Sequence, residues 1–269
     1  MVIKLKKIGL AGVGAVAISA FTISDAKAMT KDLDLMFVID ESGSMRNEFT
    51  DLGANIETFF NALSSDSRTG SVAGGLVRYL FSPTLVQPIT TVVSSLKSAI
   101  DGVSTGGGTE NGIGAIDSVL PGGSLFAGAG WRNNTVKSVV LITDEDADDA
   151  SGPTSYTDLA TRITGAGYLN NIIRECRPNS SGACRDNAAD YDPAAVPVGA
   201  VFNLEDFNTD PSGFLAGFAE AKLGELETAP ITPGAVVPLP AALPLVLTGL
   251  GAIGGLGALR RSKGRRKDA

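Results

Sequence analysis

Leu33-Asp34-Leu35-Met36-Phe37-Val38-Ile39-Asp40-Glu41-Ser42-Gly43-Ser44-Met45 is the stretch on which the reading of this chain turns. The apolar run from Leu35 to Ile39 predicts a buried strand. It stops abruptly at Asp40, and the next four residues are polar or glycine. One carboxylate and two hydroxyls then stand at alternate positions, Asp40, Ser42 and Ser44, so in an extended turn all three oxygens can face one point. Gly43 is expected to let the backbone bend there without a Cβ clash. Oxygen-only donors on a tight loop suit a hard cation such as Mg²⁺. The plainer alternative is a turn in which Asp40 caps the following helix.

The segments that follow alternate in kind. Leu52, Ile56, Phe59 and Leu63 fall at helical spacing within 49–63, with Phe60 alongside. Residues 72–81 and 85–89 predict two strands of a hairpin with Pro83 in the turn, and 92–100 a helix. Residues 104–112, Ser-Thr-Gly-Gly-Gly-Thr-Glu-Asn-Gly, form a glycine-rich loop before a helix starting at Ile113. A phosphate-cradling loop is excluded in detail, because no Gly-Lys-Ser/Thr follows and no G-x-G-x-x-G opens the helix. Residues 122–134 read as loop, with Trp131 in either core or rim. Residues 136–143 are a strongly apolar strand running into Asp144-Glu145-Asp146-Ala147-Asp148-Asp149. A helix at 154–164, strands at 169–175 and 196–203, and a closing helix at 212–226 complete the body. Leu215, Ala219, Leu223 and Leu226 form that last helix's packing face.

Strands alternating with helices predict an α/β, doubly wound, mostly parallel central sheet flanked by helices. Sites in such folds lie at the carboxyl ends of strands. Three loops here occupy strand-end or helix-start positions: Asp40-Glu41-Ser42-Gly43-Ser44, Gly107-Gly108-Thr109 and Thr143-Asp144. In that order they resemble the metal-ion-dependent adhesion site of von Willebrand factor A (vWA) domains, across about residues 32–226. The resemblance implies that Ser42, Ser44 and Thr109 bind the cation directly and that Asp40 and Asp144 hold it mainly through water. It implies Mg²⁺, with Ca²⁺ or Mn²⁺ as substitutes, and a ligand carboxylate completing the shell. Helix capping is the alternative for Thr109. Glu145 departs from the glycine usual in the family, which puts the conformation of that loop in question. The remaining acids of 145–149 read as a solvated acidic loop, with a second cation, Ca²⁺, as the alternative.

The ends carry their own signals. Lys4, Lys6 and Lys7, an apolar stretch over 8–23, and Ala26-Lys27-Ala28 predict a signal peptide over residues 1–28. The domain is expected over 29–228 and a Pro-containing linker over 229–236. Val237-Pro238-Leu239-Pro240-Ala241 then precedes an uncharged run to Leu259, roughly 28 Å long as a helix, and a basic tail. This end resembles the VPLPA-type members of the PEP-CTERM sorting signals of Gram-negative bacteria. That resemblance implies a sortase-like processing enzyme and delivery to the cell surface or extracellular matrix. A plain single-pass transmembrane anchor is the alternative, and either implies export.

The chain has 269 residues and a formal charge of −7, but between residues 29 and 259 there are 12 Lys+Arg against 27 Asp+Glu, near −15. Such a surface repels nucleic acid and anionic lipid. Two cysteines, Cys176 and Cys184, predict a local disulfide in an exported protein. With no histidine in the chain, Ser-His-Asp and Cys-His catalysis are excluded. No Gly-x-Ser-x-Gly elbow is present. Asp32 and Asp34 match a phosphatase nucleophile pair only superficially, because they precede the strand. The expectation is therefore a binding protein for a protein or an acidic polysaccharide. Two alternatives stand beside it: a structural surface component whose metal only braces the loops, and a metal-assisted hydrolase with Glu41 or Glu145 as base.

Overall fold

A computed structural model of the chain describes residues 30–145, 156–176, 191 and 199–232. The expected signal peptide, the VPLPA segment with its apolar run, the acidic residues 146–149 and Cys184 lie outside the described residues. Among the described residues no helix is long and apolar enough to cross a membrane.

Among the described residues six strands form one sheet in the order β3-β2-β1-β4-β5-β6. They are β1 (Lys31–Asp40), β2 (Thr69–Tyr79), β3 (Pro83–Thr90), β4 (Val136–Thr143), β5 (Leu169–Arg174) and β6 (Val201–Asn203). Only the β2–β3 hairpin is antiparallel; the other four pairings are parallel. The helices are α1 (Arg46–Ser65), α2 (Val93–Asp101), α3 (Gly112–Val119), α4 (Tyr156–Ala166), α5 (Leu204–Thr209) and α6 (Pro211–Thr228). The doubly wound, mostly parallel sheet expected from the sequence is the fold observed.

The two-residue period of β1 explains why it is central. Leu33, Leu35, Phe37 and Ile39 face the layer of α1, α2, α5 and α6, while Met36 and Val38 face the layer of α3. A strand buried on both faces needs apolar residues at both phases. Each such side chain contributes roughly 1.5–3 kcal/mol by leaving water. Helix α1 presents Leu52, Ile56, Phe59 and Leu63 to the first layer, as their spacing predicts. Phe59 stacks on Phe218 of α6 at 5.5 Å. Trp131 belongs to the second layer, edge-on to Tyr168, with its indole N–H donating to the Val119 carbonyl at 3.0 Å.

Three details differ from expectation. Helix α5 was not foreseen; Asn203 ends β6 and caps the new helix by accepting from the Glu205 N–H. Asp34, half of the superficial phosphatase pair, is fully buried and accepts from Arg132 Nε at 2.6 Å, a structural ion pair. The first residues of the expected linker are docked. Lys31 Nζ donates to the carbonyls of Leu226, Glu227 and Ala229. Thr232 N–H donates to the Thr135 carbonyl, and buried Lys137 donates to the Thr232 carbonyl at 2.9 Å. All of this sits at the amino ends of β1 and β4.

Candidate metal centre

The sheet reverses its winding between β1 and β4. From β1 the chain crosses through α1 to β2 on one side, and from β4 through α4 to β5 on the other. The connections diverge, and a crevice opens at the carboxyl ends of these two strands. The register pairs Ile39 with Ile142, which places Asp40 beside Thr143 at that mouth.

Asp40 is completely buried. Its Oδ1 accepts the Ser42 N–H at 2.7 Å, and its Oδ2 lies 3.2 Å from the Thr143 hydroxyl, which donates to it. The chain then turns through a single 3-10 turn, Gly43–Met45, into α1. The Ser42 and Ser44 hydroxyls lie 2.9 Å apart. No side-chain cap is made at the start of either helical segment, so these oxygens are not committed to the helix and Asp40 does not cap it. Gly43 has no left-handed backbone, and a Cβ there would meet only the Gly106 carbonyl at ordinary contact distance. The bend does not require glycine, contrary to the expectation from the sequence.

The glycine-rich loop lies against this turn. Gly106 N–H donates to the Glu41 carbonyl at 2.8 Å, and Ser42 and Gly106 form an isolated parallel bridge. Thr109 stands exposed three residues further on. The cap of α3 is Asn111, whose side chain accepts the Gly114 N–H at 2.6 Å, so Thr109 is not the capping residue. Gly112 is the glycine the site does require. A Cβ there would run into the hydroxyls of Tyr191 and Tyr79 beneath the loop.

The third loop begins at Thr143. Its hydroxyl accepts the Glu145 N–H at 3.2 Å, which closes a local turn. Among the described residues only Asn134 is a non-glycine with positive φ. Glu145 therefore occupies the family's glycine position without left-handed backbone. Asp144 is half-buried, and its Oδ1 is buried with no hydrogen-bond partner among the described residues.

Burial, reinforced by the charge of Asp144, pushes the Asp40 carboxyl up to about 6, against the opposing hydrogen bonds from Ser42 and Thr143. A third carboxylate, missed in the sequence, adds to this field. Glu48 on the first turn of α1 is buried, its Oε2 lacks a partner, and burial, with a further contribution from Asp144, raises its pKa. Glu41 is not part of this surplus, because Arg78 pairs with it.

These observations fit a divalent cation. A buried carboxylate oxygen without a partner is a group whose counterpart is missing. Among the described residues no three carboxylates approach closely enough to hold an ion by themselves, so the serine hydroxyls would have to supply donors. An all-oxygen set of carboxylates and hydroxyls suits Mg²⁺ or Ca²⁺ more than a soft metal. The structure brings Asp40, Ser42 and Ser44 into one hydrogen-bonded turn, places Asp144 within electrostatic reach, and sets Thr109 on the loop bonded to that turn. Of the expected disulfide only Cys176 is described, its N–H donating to Asn203 Oδ1.

A sequence model of the von Willebrand factor type A domain matches residues 34–209. No curated protein sequence matches the chain. Among solved structures, proximal thread matrix protein 1 from the mussel byssus is similar with a TM-score of 0.52 and 16% identity, over 76% of this chain and 48% of that one. The same mussel protein with a zinc-occupied MIDAS motif matches at 0.50 and 14%, over 71% of this chain and 46% of that one. The conserved hypothetical protein BatB from Bacteroides thetaiotaomicron matches at 0.49 and 13%, over 72% of this chain and 99% of that one. This chain spans just under half the length of the mussel protein.

Proposed function

Because this chain belongs to the von Willebrand factor type A domain family, we propose that it binds an acidic ligand, a protein or a polysaccharide, through a divalent cation held at the mouth between β1 and β4. The observation that carries the proposal is the partnerless buried Oδ1 of Asp144, within electrostatic reach of Asp40, together with the mutually bonded hydroxyls of Ser42 and Ser44 on the turn that follows Asp40. Ser42, Ser44 and Thr109 would hold the ion, with Asp40 and Asp144 balancing its charge. The bound cation supplies a Lewis-acidic position that a carboxylate can occupy. The chain's own residues orient the hydroxyls, exclude water on the sheet side and keep the charge of Asp40 facing the loop. Zinc occupancy of the corresponding motif in the mussel protein supports a divalent ion. Mg²⁺ is the cation proposed, with Ca²⁺ or Mn²⁺ able to replace it.

The bracing alternative is weakened by the loops' own bonds. The Gly106 N–H on the Glu41 carbonyl and the Thr143 hydroxyl on Asp40 already tie the three loops together, so an ion is not needed to gather them. The hydrolase alternative loses one of its two candidate bases, since Glu41 is engaged by Arg78. We place the protein outside the cytoplasm, at the cell surface or in the matrix of a Gram-negative bacterium. This rests on the signal-peptide and sorting-signal patterns at residues 1–28 and 237–269, with the membrane and a sortase-like enzyme as its partners in export.

Calorimetric titration with Mg²⁺ tests the centre. The wild-type protein binds the ion, and Ser42→Ala combined with Ser44→Ala removes that binding while circular dichroism and cooperative melting persist. Undiminished Mg²⁺ binding by the double variant would overturn the proposal.

A further inference from the structure

A cleft of about 600 Å³ opens between α1, α2 and the start of the glycine-rich loop. It adjoins the candidate centre on both walls. Arg46, on one wall, follows Ser44 by two residues, at most about 7 Å along the backbone. Thr105, on the other, precedes Gly106, the residue bonded to Glu41. The two helices approach closely because Gly53 has no side chain; a Cβ there would collide with the Asp101 carboxylate of α2.

Arg46 differs from four other arginines of the described residues. Arg68, Arg78, Arg132 and Arg162 are each matched to a carboxylate. Among the described residues Arg46 has none; it makes only a long 3.5 Å contact from Nε to the Thr105 hydroxyl. A guanidinium left open in a cleft is a fork for an external carboxylate. Around it stand the hydroxyls of Thr50, Ser104 and Thr105 and the Lys97–Asp101 pair, whose atoms lie 2.6 Å apart. Together these offer both donors and acceptors. Of the apolar residues that line the cleft, Phe49 and Ile100 are buried and only the smaller Ala54 and Val103 reach solvent, so it offers no large apolar anchor. A protein partner would be expected to seek an apolar or aromatic anchor. A hydroxyl-rich chain with a carboxylate on each unit would not need one.

Resting on the cation-dependent reading above, we propose that the α1–α2 cleft is the second half of the ligand site and that its occupant is a polyuronate glycan. One uronate carboxylate meets the cation at Ser42 and Ser44. The carboxylate of a neighbouring unit pairs with Arg46, and the intervening ring hydroxyls meet Thr50, Ser104 and Thr105.

The test uses the full-length protein with saturating Mg²⁺, titrated with tetragalacturonate and separately with a tetra-aspartate peptide. The wild-type protein binds tetragalacturonate. Arg46→Ala weakens that binding at least about tenfold, as loss of a charge-assisted pair should, and Arg46→Lys recovers part of it. Neither variant alters the Mg²⁺-induced rise in Tm. Equal tetragalacturonate affinity in wild type and Arg46→Ala, or no tetragalacturonate binding while Mg²⁺ still raises Tm, overturns this inference alone. Tighter, Arg46-dependent binding of tetra-aspartate overturns it in favour of a protein ligand. Absence of any Mg²⁺ effect on the wild type overturns the cation-dependent reading and this inference with it.

Discussion

The Thr143 hydroxyl bridges two loops, lying 3.2 Å from Asp40 Oδ2 on β1 and accepting the Glu145 N–H at the same distance. One side chain thus fixes both the orientation of the central carboxylate and the turn in which glutamate replaces glycine. Thr143→Val keeps the shape and removes both bonds. It should cost about 1–3 kcal/mol of unfolding free energy, the penalty for stranding a buried polar group. It should also weaken Mg²⁺ binding several-fold. Urea denaturation and calorimetry read the two effects separately; a variant as stable as wild type would show that the bridge is not structural.

Asp40 gives the protein a pH signature. Its carboxyl titrates at about 6 in the folded chain against an ordinary value of 3.8. Between these values the folded state without cation holds a proton that the unfolded chain has released. Stability therefore falls as pH rises from about 4 to 6, by up to about 3 kcal/mol, and levels off above. A cation needs the ionised form, so the stabilisation by Mg²⁺ should grow across the same interval. The difference between wild type and Asp40→Asn, followed by denaturation from pH 4 to 8 with and without Mg²⁺, isolates this group. An identical pH dependence in both proteins would contradict the assignment.

Gly112 should tolerate no side chain. A Cβ would overlap the Tyr191 and Tyr79 hydroxyls beneath the glycine-rich loop. Gly112→Ala is expected to destabilise by about 1–3 kcal/mol through overpacking. Gly107→Ala, with open space around it, should be near neutral. Paired thermal melts settle the comparison, and equal melting temperatures would refute it.

Lys137 should hold the tail. Its ammonium group, fully buried, donates to the Thr232 carbonyl and hydroxyl and to the Thr135 hydroxyl. Lys137→Met preserves bulk but strands those acceptors, at about 1–3 kcal/mol. Hydrogen exchange at residues 229–232 should accelerate more than at β1. Uniform acceleration would instead mean that the tail and the sheet open together.

Much of the fold was legible because its signals are local. The two-phase apolar runs of β1 and β4 declare strands buried on both sides, and the spacing of Leu52, Ile56, Phe59 and Leu63 declares the inner face of α1. Asp40, Ser42 and Ser44 could be read as converging because they share one turn. What was hidden depends on residues distant in sequence. Glu48 falls just before the helix expected at 49–63, and only the packing of α1 buries it near Asp144. The isolation of Arg46 among the described residues depends on which carboxylates fail to reach it. Residues 229–232 read as the start of a linker from Pro230 and the following Pro233, yet Lys31 and Lys137 capture them across nearly 200 and nearly 100 residues of chain. Glu145 raised a concern from residue type that the Thr143 turn answers, since no glycine-only conformation is adopted.

The capture of Thr232 at the amino end of β4 also decides how the domain would bear load. The loop at 40–44 follows the carboxyl end of β1, whereas Thr232 is held at the amino end of the neighbouring β4. A pull between a ligand bound at that loop and Thr232 would therefore run lengthwise through the paired β1 and β4. Their rungs from Leu33–Val136 to Ile39–Ile142 are strained together in shear, not unzipped one after another.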